Sequence, residues 1–191
     1  VVEDMKDEVK RMTKLVGDLL TLARVDSGVA NMNMTTFDIA PFLVQLVRTI
    51  QPVAANKDIK VTANILPTLH IVGDIEKLRQ LFYILMDNAI KYTPASGQIT
   101  VTLEVKDKHW LLRVKDTGLG IQSEDQQKIF NRFFRADKHR SRQLGGVGLG
   151  LSIAHWIVSS HEGSITVESE VGKGSEFTVR IPLSLQPTTT I

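Results

Sequence analysis

Residues 87–92 read DNAIKY and lie at the end of a predicted helix that begins after Asp74. Apolar residues at helical spacing predict this helix and give it one apolar face, formed by Leu78, Leu81, Leu85 and Ala89. Asn88, Lys91 and Tyr92 are three or four residues apart, so their side chains emerge on one helical face. An amide oxygen, an ammonium and an aromatic ring suit a metal-bound phosphate and a base. A solvated helix end, with Lys91 favoured by the helix dipole, is the alternative interpretation.

Alternating apolar and polar residues on both sides of this helix predict a β-sheet. The predicted strands are a short one within the linker region Asn31–Asp38, Lys60–Ile65, a short one near Leu69–Val72, Gln98–Val105, Trp110–Asp116, Ser164–Glu168 and Glu176–Pro182. Two further helices are predicted, from about Ile39 to Lys57 and over Ile153–Ser159. This order predicts an α+β fold, a two-layer sandwich in which helices cover one face of a mixed sheet.

A long amphipathic helix is predicted to precede this domain and to end near Gly28. Its apolar residues alternate steps of three and four, as in a coiled coil; this apolar seam consists of Val2, Met5, Val9, Met12, Val16, Leu19 and Ala23. The seam needs an apolar partner, which is either the following domain or, as its regularity favours, a helical hairpin or dimer bundle. The expected boundaries are a helix over 1–28, a linker over 29–37, a domain over 38–185 and a frayed tail over 186–191.

The composition of the 191 residues is that of a soluble globular protein, with 42% hydrophobic and 23% charged side chains. The 23 basic and 21 acidic residues leave a net charge of only +2, so no overall field attracts nucleic acid or an anionic membrane. Cysteine is absent from the sequence, which excludes a disulfide framework and a thiolate metal site. The apolar runs are too short to span a bilayer. We therefore expect this chain to contact neither nucleic acid nor a membrane.

A second stretch, DTGLGI at residues 116–121, directly follows a predicted strand. A carboxylate at a strand end, followed by two glycines, places a hydrogen-bond acceptor beside backbone that a flat ligand can approach closely. An adenine amino group suits such an acceptor. A simple turn is the alternative, since Asp and Gly are common turn residues.

A third stretch, GGVGLGL at residues 145–151, leads into a predicted helix. Glycines before a helix N-terminus expose backbone N–H groups to an anion, and phosphate is the natural candidate. A dinucleotide-binding fingerprint is a weaker interpretation, because the preceding residues 135–143 are polar and basic, whereas that fingerprint follows an apolar strand.

A fourth stretch, GKGSEF at residues 172–177, predicts a tight hairpin turn when it is taken alone. It is not a P-loop, since Gly174 stands where that motif requires Ser or Thr. The long segment 122–144 contains FNRFFR at residues 130–135 and further basic residues. Long polar connections in compact domains are usually lids or disordered, so we expect either a cover over a triphosphate or a solvated basic loop.

In sequence order, these four stretches resemble the N, G1, G2 and G3 boxes of sensor histidine kinases, and FNRFFR resembles their F box. The initial helix is similar to the second helix of the dimerisation and histidine-phosphotransfer hairpin, and the whole is most like the membrane-anchored kinases of Gram-positive bacteria. The resemblance implies the Bergerat ATP-binding fold, with ATP and Mg²⁺ as cofactors. It also implies a histidine kinase that transfers the γ-phosphoryl group of ATP to a histidine, for relay to a response-regulator aspartate.

The resemblance assigns roles to residues of the N and G1 boxes. It implies that Asn88 coordinates Mg²⁺ between the phosphates, that Lys91 contacts phosphate, and that Tyr92 packs near the nucleotide. Asp116 is expected to accept a hydrogen bond from the adenine amino group. Around it, the expected pocket residues are Gly118, Gly120, Ile121 and Ser175.

The resemblance also assigns roles to the glycine-rich and F-box stretches. The glycines expected to hinge a lid and to offer backbone to the phosphates are Gly146, Gly148 and Gly150, and the intervening Val147 and Leu149 are expected to be part of the same nucleotide-binding stretch. Arg132 and Arg135 are expected either to stabilise charge on the transferring phosphoryl group or to help dock the histidine-bearing helix.

Two departures from the family pattern bear on activity. Many members carry a second asparagine one turn before the N-box asparagine, at the position where hydrolytic relatives carry a water-activating glutamate. Here that position is Ile84, which accepts no proton, so metal binding is expected to rest on Asn88 and hydrolysis is disfavoured. In addition, none of His70, His109, His139, His155 or His161 has the setting of the phosphoacceptor, so we expect that histidine, the sensor and any membrane anchor to lie upstream.

The expected partners are the hairpin helix that bears the phosphoacceptor histidine and a response regulator, within a homodimeric parent protein. The expected location is the cytoplasm, with the parent anchored in the cell membrane. Three other functions are weighed against the kinase. They are an ATPase of the same fold, a serine-phosphorylating anti-sigma kinase, and a nucleotide-binding interaction module without catalysis.

Overall fold

The computed structural model describes residues 2–136 and 147–183. Its α-helices agree with the predicted ones and are α1 (Val2–Asp26), α2 (Ile39–Ala55), α3 (Ile75–Tyr92) and α4 (Gly150–Ser160); a short 3-10 helix (Lys128–Phe130) was not predicted. Its strands are β1 (Thr35–Asp38), β2 (Lys60–Ile65), β3 (His70–Gly73), β4 (Gln98–Lys106), β5 (His109–Asp116), β6 (Ser164–Glu170) and β7 (Gly174–Pro182). The expected tail at 186–191 and most of the second half of segment 122–144 lie outside the described residues.

Five strands form one mixed sheet in the order β2-β4-β5-β7-β6. β2 pairs with β4 in parallel, and the other neighbours are antiparallel. β1 and β3 form a separate two-stranded sheet, which the sequence did not predict as a unit. Each strand of this small sheet leads into a helix through an aspartate cap. Asp38 accepts from the N–H of Ala40, and Asp74 accepts from the N–H groups of Glu76 and Lys77.

One face of the large sheet lies on the core and the other faces solvent. Alternate residues of β4, β5 and β7 are buried with α2, α3 and α4, among them Val101, Trp110 and Val179. On the opposite face, Arg113 forms ion pairs with Glu104 and Glu176. The two-layer α+β sandwich with helices on one face is thereby confirmed.

Helix α1 packs on this domain through a face that differs from its apolar seam. Leu22 is only 4% exposed and belongs to the core, and Leu15 packs against it. The seam residues whose side chains are described remain exposed; they are Met5, Val9, Met12, Val16, Leu19 and Ala23. The helix therefore docks on its own domain and still presents an apolar stripe outward. Within residues 2–136 and 147–183, every helix is too short or too polar to cross a bilayer.

Candidate functional site

A row of polar side chains crosses three strands at one end of the large sheet. Asp116 at the end of β5 lies opposite Ser175 of β7, and Ser175 lies opposite Ser169 of β6. Directly opposed residues in antiparallel strands point to the same face. That face is the buried one, since Phe177 and Val179 stand two and four residues beyond Ser175 on β7. At this end of the sheet, next to the glycine-rich loops, the core-facing positions of three strands are thus polar and not apolar.

The Asp116 carboxylate is the buried charge of this row, with only 5% of the residue exposed. Burial raises its pKa above the ordinary value, and backbone hydrogen bonds from Gly118 and Ser175 partly oppose that shift. Both N–H groups donate to Oδ1, at 2.8 Å and 3.2 Å. Among the described residues, no hydrogen bond ends at Oδ2. That oxygen is the part of the carboxylate suited to accept a hydrogen bond from a ligand.

The loop after Asp116 is attached to the C-terminal end of α3. The Leu119 N–H donates to the Tyr92 carbonyl at 3.1 Å. Gly118 approaches so closely that an added Cβ would stand 2.6 Å from the Tyr92 carbonyl oxygen and 2.7 Å from Asp116 Oδ1. A side chain at position 118 therefore does not fit. The structure brings DTGLG and DNAIKY together, as their resemblance to the G1 and N boxes requires.

The other side of this loop is tied to the β6–β7 hairpin. Gly120 has φ +72°, and a Cβ there would lie 2.0 Å from the Glu170 carbonyl oxygen. The Ile121 N–H donates to Ser169 Oγ at 2.8 Å, and Gln126 Nε2 donates to the carbonyls of Ile121 and Ser169. The structure thus brings together five of the candidate residues, which are Asp116, Gly118, Gly120, Ile121 and Ser175.

Asn88, Lys91 and Tyr92 follow each other around the last turn and a half of α3. Asn88 is half-buried, and no group among residues 2–136 and 147–183 forms a hydrogen bond with its side-chain amide. The Lys91 ammonium lies 5.3 Å from the centre of the Tyr92 ring. Asp87 turns away from this face and pairs with Lys14 of α1 at 3.0 Å. The amide of Asn88 is accordingly the polar group of this turn that is suited to a ligand.

The glycine-rich stretch is described from Val147 onward, so Gly146 lies outside the described residues. Gly148 has φ +81°, and its carbonyl accepts from the Phe133 N–H at 2.9 Å. This contact joins the glycine-rich stretch to the F-box stretch. Val147 packs on the core at its edge, and Leu149 is buried within it, so the Leu149 side chain anchors the loop.

Gly150 begins α4 and faces Ile84 of α3. A Cβ at Gly150 would lie 3.4 Å from Ile84 Cγ2. Ile84 is one helical turn before Asn88, so the glycine-rich stretch and the Asn88 face of α3 are neighbours. Ile84, at the position where hydrolytic relatives carry a water-activating glutamate, is thus an aliphatic side chain that packs next to Gly150.

The two F-box arginines have different surroundings. Arg132 donates from Nη1 and Nη2 to both oxygens of Asp26, at the end of α1, with both distances 2.6 Å. Arg135 is half-buried, and its buried Nε and Nη2 atoms have no hydrogen-bond partner within residues 2–136 and 147–183. A buried guanidinium with unpaired N–H groups is costly unless an anion pairs with it. Arg135 is therefore the described arginine best suited to bind a phosphate, whereas Arg132 contacts the helix.

The described histidine and acidic side chains do not form a metal site of their own. The described part of the chain contains no group of three or more His, Asp or Glu side chains that could hold a metal ion. His161 is buried and has a capping role, accepting from the Asp74 N–H through Nε2 at 3.0 Å. His155 lies against the Phe130 ring on the surface of α4.

Three contributors to the site were not identified from the sequence. Ser169 had a signal, because it continues the inward alternation of Ile165 and Val167 along β6 with a polar residue. No pattern in the local sequence indicated Gln126 or Asp26, since their contacts join segments that are distant in sequence.

Comparison with known proteins identifies a family and several relatives that this chain resembles in sequence. The sequence profile of histidine kinase-, DNA gyrase B- and HSP90-like ATPases matches residues 73–185. The chain is 34% identical over 179 residues to the sensor-like histidine kinase SenX3 of Mycobacterium tuberculosis, covering 94% of this chain and 44% of SenX3. The chain thus spans less than half the length of that relative.

Solved structures give the same result at the level of the fold. The histidine kinase AdeS of Acinetobacter baumannii superimposes with a TM-score of 0.80 at 25% identity, over 96% of this chain and 84% of AdeS. Full-length ShkA, in a complex with AMPPNP, superimposes with a TM-score of 0.82 at 29% identity, over 95% of this chain and 38% of ShkA. Both superpositions include nearly all of the present chain, α1 among it.

Proposed function

We infer, since this chain belongs to the family of histidine kinase-, DNA gyrase B- and HSP90-like ATPases, that it binds ATP and transfers the γ-phosphoryl group to a histidine of a partner helix. The names of its sensor histidine kinase relatives favour this reaction over the others in the family. The fit of the site residues to ATP supports it further.

The observation that carries the proposal is the junction between the Asp116 loop and the end of α3. The buried Asp116 carboxylate has Oδ2 available for the amino group of adenine, and Gly118 allows the end of α3 to approach that carboxylate closely. Arg135, whose buried Nε and Nη2 have no partner in the part of the chain that the structure describes, is suited to the phosphates. The assigned residues thus offer an acceptor for the base and donors for the anion within one domain.

The donor set also fits Mg²⁺ that is shared with ATP. Mg²⁺ in phosphoryl-transfer sites is commonly held by one or two protein oxygens together with the phosphates and water. Asn88 supplies the one protein oxygen, because Ile84 offers none and Asp87 is paired with Lys14. When bound, Mg²⁺ neutralises charge on the phosphates during transfer.

In the proposed reaction, a neutral imidazole nitrogen of the partner helix attacks the γ-phosphorus. The bond between that phosphorus and the β–γ bridging oxygen breaks, ADP departs, and phosphohistidine forms. The chain's own residues orient the reactants: Asp116 holds the base, and Lys91 with Arg135 holds the phosphates. Water is not activated, since Ile84 stands packed against Gly150 where a general base would be needed.

The remaining features of the parent protein belong to the same proposal. The exposed apolar seam of α1 fits a hairpin partner helix and a homodimeric bundle. The phosphoryl group then passes to a response-regulator aspartate. We place the domain in the cytoplasm, with the parent anchored in the cell membrane.

Titration with ATP, with and without Mg²⁺, tests the site directly. We expect Asp116→Asn to abolish ATP binding and Asn88→Ala to retain binding but to lose its dependence on Mg²⁺. The matched controls are Asp107→Asn, in an exposed turn, and Asn64→Ala, on the exposed part of β2; both should bind as the parent does. Absence of ATP binding by the parent chain would refute the proposal.

Incubation with labelled ATP and an added hairpin domain tests the reaction. We expect an acid-labile label on the hairpin domain and none on this chain. An acid-stable label would indicate a serine kinase, and steady phosphate release without any label would indicate an ATPase.

A further inference from the structure

Ser169 occupies a position in the polar row from which it contacts three groups at once. Its Oγ lies 2.8 Å from the Ile121 nitrogen, 2.9 Å from the Gly174 carbonyl oxygen and 2.9 Å from Ser175 Oγ. These partners belong to the loop after Asp116 and to the hairpin that carries Ser175. Ser169 therefore joins both walls of the proposed base pocket.

Only one arrangement of hydroxyl protons satisfies all three contacts. The Ile121 N–H can only donate, so Ser169 Oγ accepts there. The Gly174 carbonyl can only accept, so the single Ser169 proton points to it. The remaining contact then requires Ser175 to donate its proton to Ser169 Oγ. Ser175 Oγ is left with lone pairs and no proton for other partners.

This polarity matters because Ser175 stands directly beside Asp116. The two residues are opposed across β5 and β7, and the Ser175 N–H donates to Asp116 Oδ1. The carboxylate is itself an acceptor without a proton when it is ionised. The pocket thus presents two acceptors side by side, which match the two N–H bonds of an amino group and repel a carbonyl oxygen.

We propose that Ser169 is a positioning residue that sets the preference of the pocket for a 6-amino purine over a 6-oxo purine. It acts without touching the base, by fixing the direction of the Ser175 hydroxyl. This inference rests on the proposed function, because it assumes that the base lies against Asp116. Removal of the Ser169 hydroxyl frees the Ser175 proton to turn towards the ligand, where it can donate to a 6-oxo group.

The test compares the affinities of the purified chain for ATP and for inosine triphosphate, which carries an oxygen in place of the amino group. For Ser169→Ala we expect a roughly fivefold weaker affinity for ATP, as for the loss of one hydrogen bond, and an unchanged or stronger affinity for inosine triphosphate. Ser169→Thr keeps a hydroxyl and should restore the preference. Ser164→Ala, on the exposed start of β6, is the matched control and should leave both affinities unchanged.

A second variant covers the case in which Ser169→Ala does not fold. Ser175→Ala removes one of the two acceptors and supplies no donor in its place, so it should weaken ATP binding and relieve only part of the repulsion of inosine triphosphate. Equal weakening of both nucleotides in Ser169→Ala, or an unchanged ratio, would overturn the inference while leaving the proposed function intact. If the parent chain bound neither nucleotide, the proposed function would fail first.

Discussion

At the scale of single residues, the site depends on a carboxylate that is held in an unfavourable environment. Asp116 is buried at the end of β5, and burial raises its pKa despite two backbone hydrogen bonds. The raised pKa means that the folded chain tolerates the charged form less well than the unfolded chain does. Retention of such a group in a core position is typical of a functional site rather than of a stabilising contact.

Asp116→Asn is therefore expected to separate stability from binding. The amide oxygen can still accept from the N–H groups of Gly118 and Ser175, while the buried charge is removed. We expect a higher melting temperature at pH 7 than for the parent chain, together with at least a roughly tenfold loss of ATP affinity from the missing charged acceptor. Differential scanning fluorimetry and calorimetric titration measure the two effects. A lower melting temperature would show that the carboxylate stabilises the fold.

The same substitution gives a pH dependence whose sign follows from the raised pKa. An acid whose folded pKa exceeds its unfolded value stabilises the fold at low pH and loses that contribution as pH rises through the folded pKa. The parent chain should therefore gain stability relative to Asp116→Asn as the pH falls from 7 towards 3.8, the ordinary value. Melting curves of both proteins over this range measure the difference between their melting temperatures. A difference that increased on acidification would contradict the raised pKa of Asp116.

The sequence pointed to candidate site residues more readily than to the residues that hold them in place. Asp116 and Asn88 were identifiable because carboxylate, amide and glycine recur in a fixed order along the chain. Gln126 was not, because its role consists of two hydrogen bonds to backbone carbonyls that only folding brings together. Supporting contacts of this kind leave no pattern in the local sequence.

At the scale of elements, the β6–β7 hairpin offers a comparison of two glycines in one turn. Gly172 and Gly174 both have positive φ, +80° and +108°. A Cβ at Gly172 meets nothing within 4 Å, whereas one at Gly174 would stand 2.0 Å from the Asp116 carbonyl oxygen. Gly172→Ala should thus cause backbone strain alone. Gly174→Ala should in addition force β7 away from β5, the strand that carries Asp116.

We expect Gly172→Ala to lower the free energy of unfolding by about 1 kcal/mol and to leave ATP binding intact. Gly174→Ala should lower it by roughly 3 kcal/mol or more and abolish binding, because β5 and β7 separate at Asp116. Urea unfolding measures the free energy of unfolding, and calorimetric titration measures the affinity for ATP. Equal effects of the two substitutions would mean that close backbone approach does not shape the pocket.

Helix α1 offers a second comparison, between a buried and an exposed leucine. Leu22 is 4% exposed and Leu20 is 54% exposed on the same helix. Leu22→Ala should lower the free energy of unfolding by about 2–4 kcal/mol and increase amide exchange along α1, since it leaves a cavity in the core. Leu20→Ala is the control and should do neither. Similar exchange in both variants would exclude docking of α1 through Leu22.

Elements were predicted well because hydrophobic periodicity reports burial directly. Leu81 and Leu85 mark the inner face of α3, and Val101 and Leu103 mark that of β4. The docking face of α1 was missed because its regular seam was the stronger pattern, while Leu15 and Leu22 stand outside it. Both strands of the small sheet were predicted, but their pairing was not, because strands of four residues carry too little pattern to indicate which strand they pair with.

At the scale of the whole molecule, charged residues join α1 to the domain at two places with opposite electrostatic character. Asp26 pairs with both Nη atoms of Arg132, and this hydrogen bonding lowers the pKa of Asp26. Burial raises the pKa of Asp18, and the nearby Asp87 raises it further while Lys14 opposes the shift. One carboxylate of α1 is thus favoured in its charged form by docking, and the other is disfavoured.

These opposite shifts predict that the docking of α1 depends on pH in two phases. Asp18 has a raised pKa in the docked state, so its penalty disappears as pH falls from 7 through that pKa, and docking should tighten. Asp26 has a lowered pKa, so its contact with Arg132 persists until pH falls below the ordinary value of 3.8 and is then lost. Protection of α1 against amide exchange, corrected for the intrinsic rate at each pH, should rise and then fall on acidification.

Two variants separate the phases. Asp18→Asn should abolish the increase in protection of α1 on acidification, because the neutral amide carries no charge to neutralise. Asp26→Asn should abolish the loss of protection at the lowest pH. The Asp26 contact is exposed, so 1 M salt should weaken it by screening and leave the Asp18 phase, which arises mainly from burial, largely unchanged. A monotonic fall of protection from pH 7 downward in the parent chain would mean that burial of Asp18 against the domain does not oppose docking.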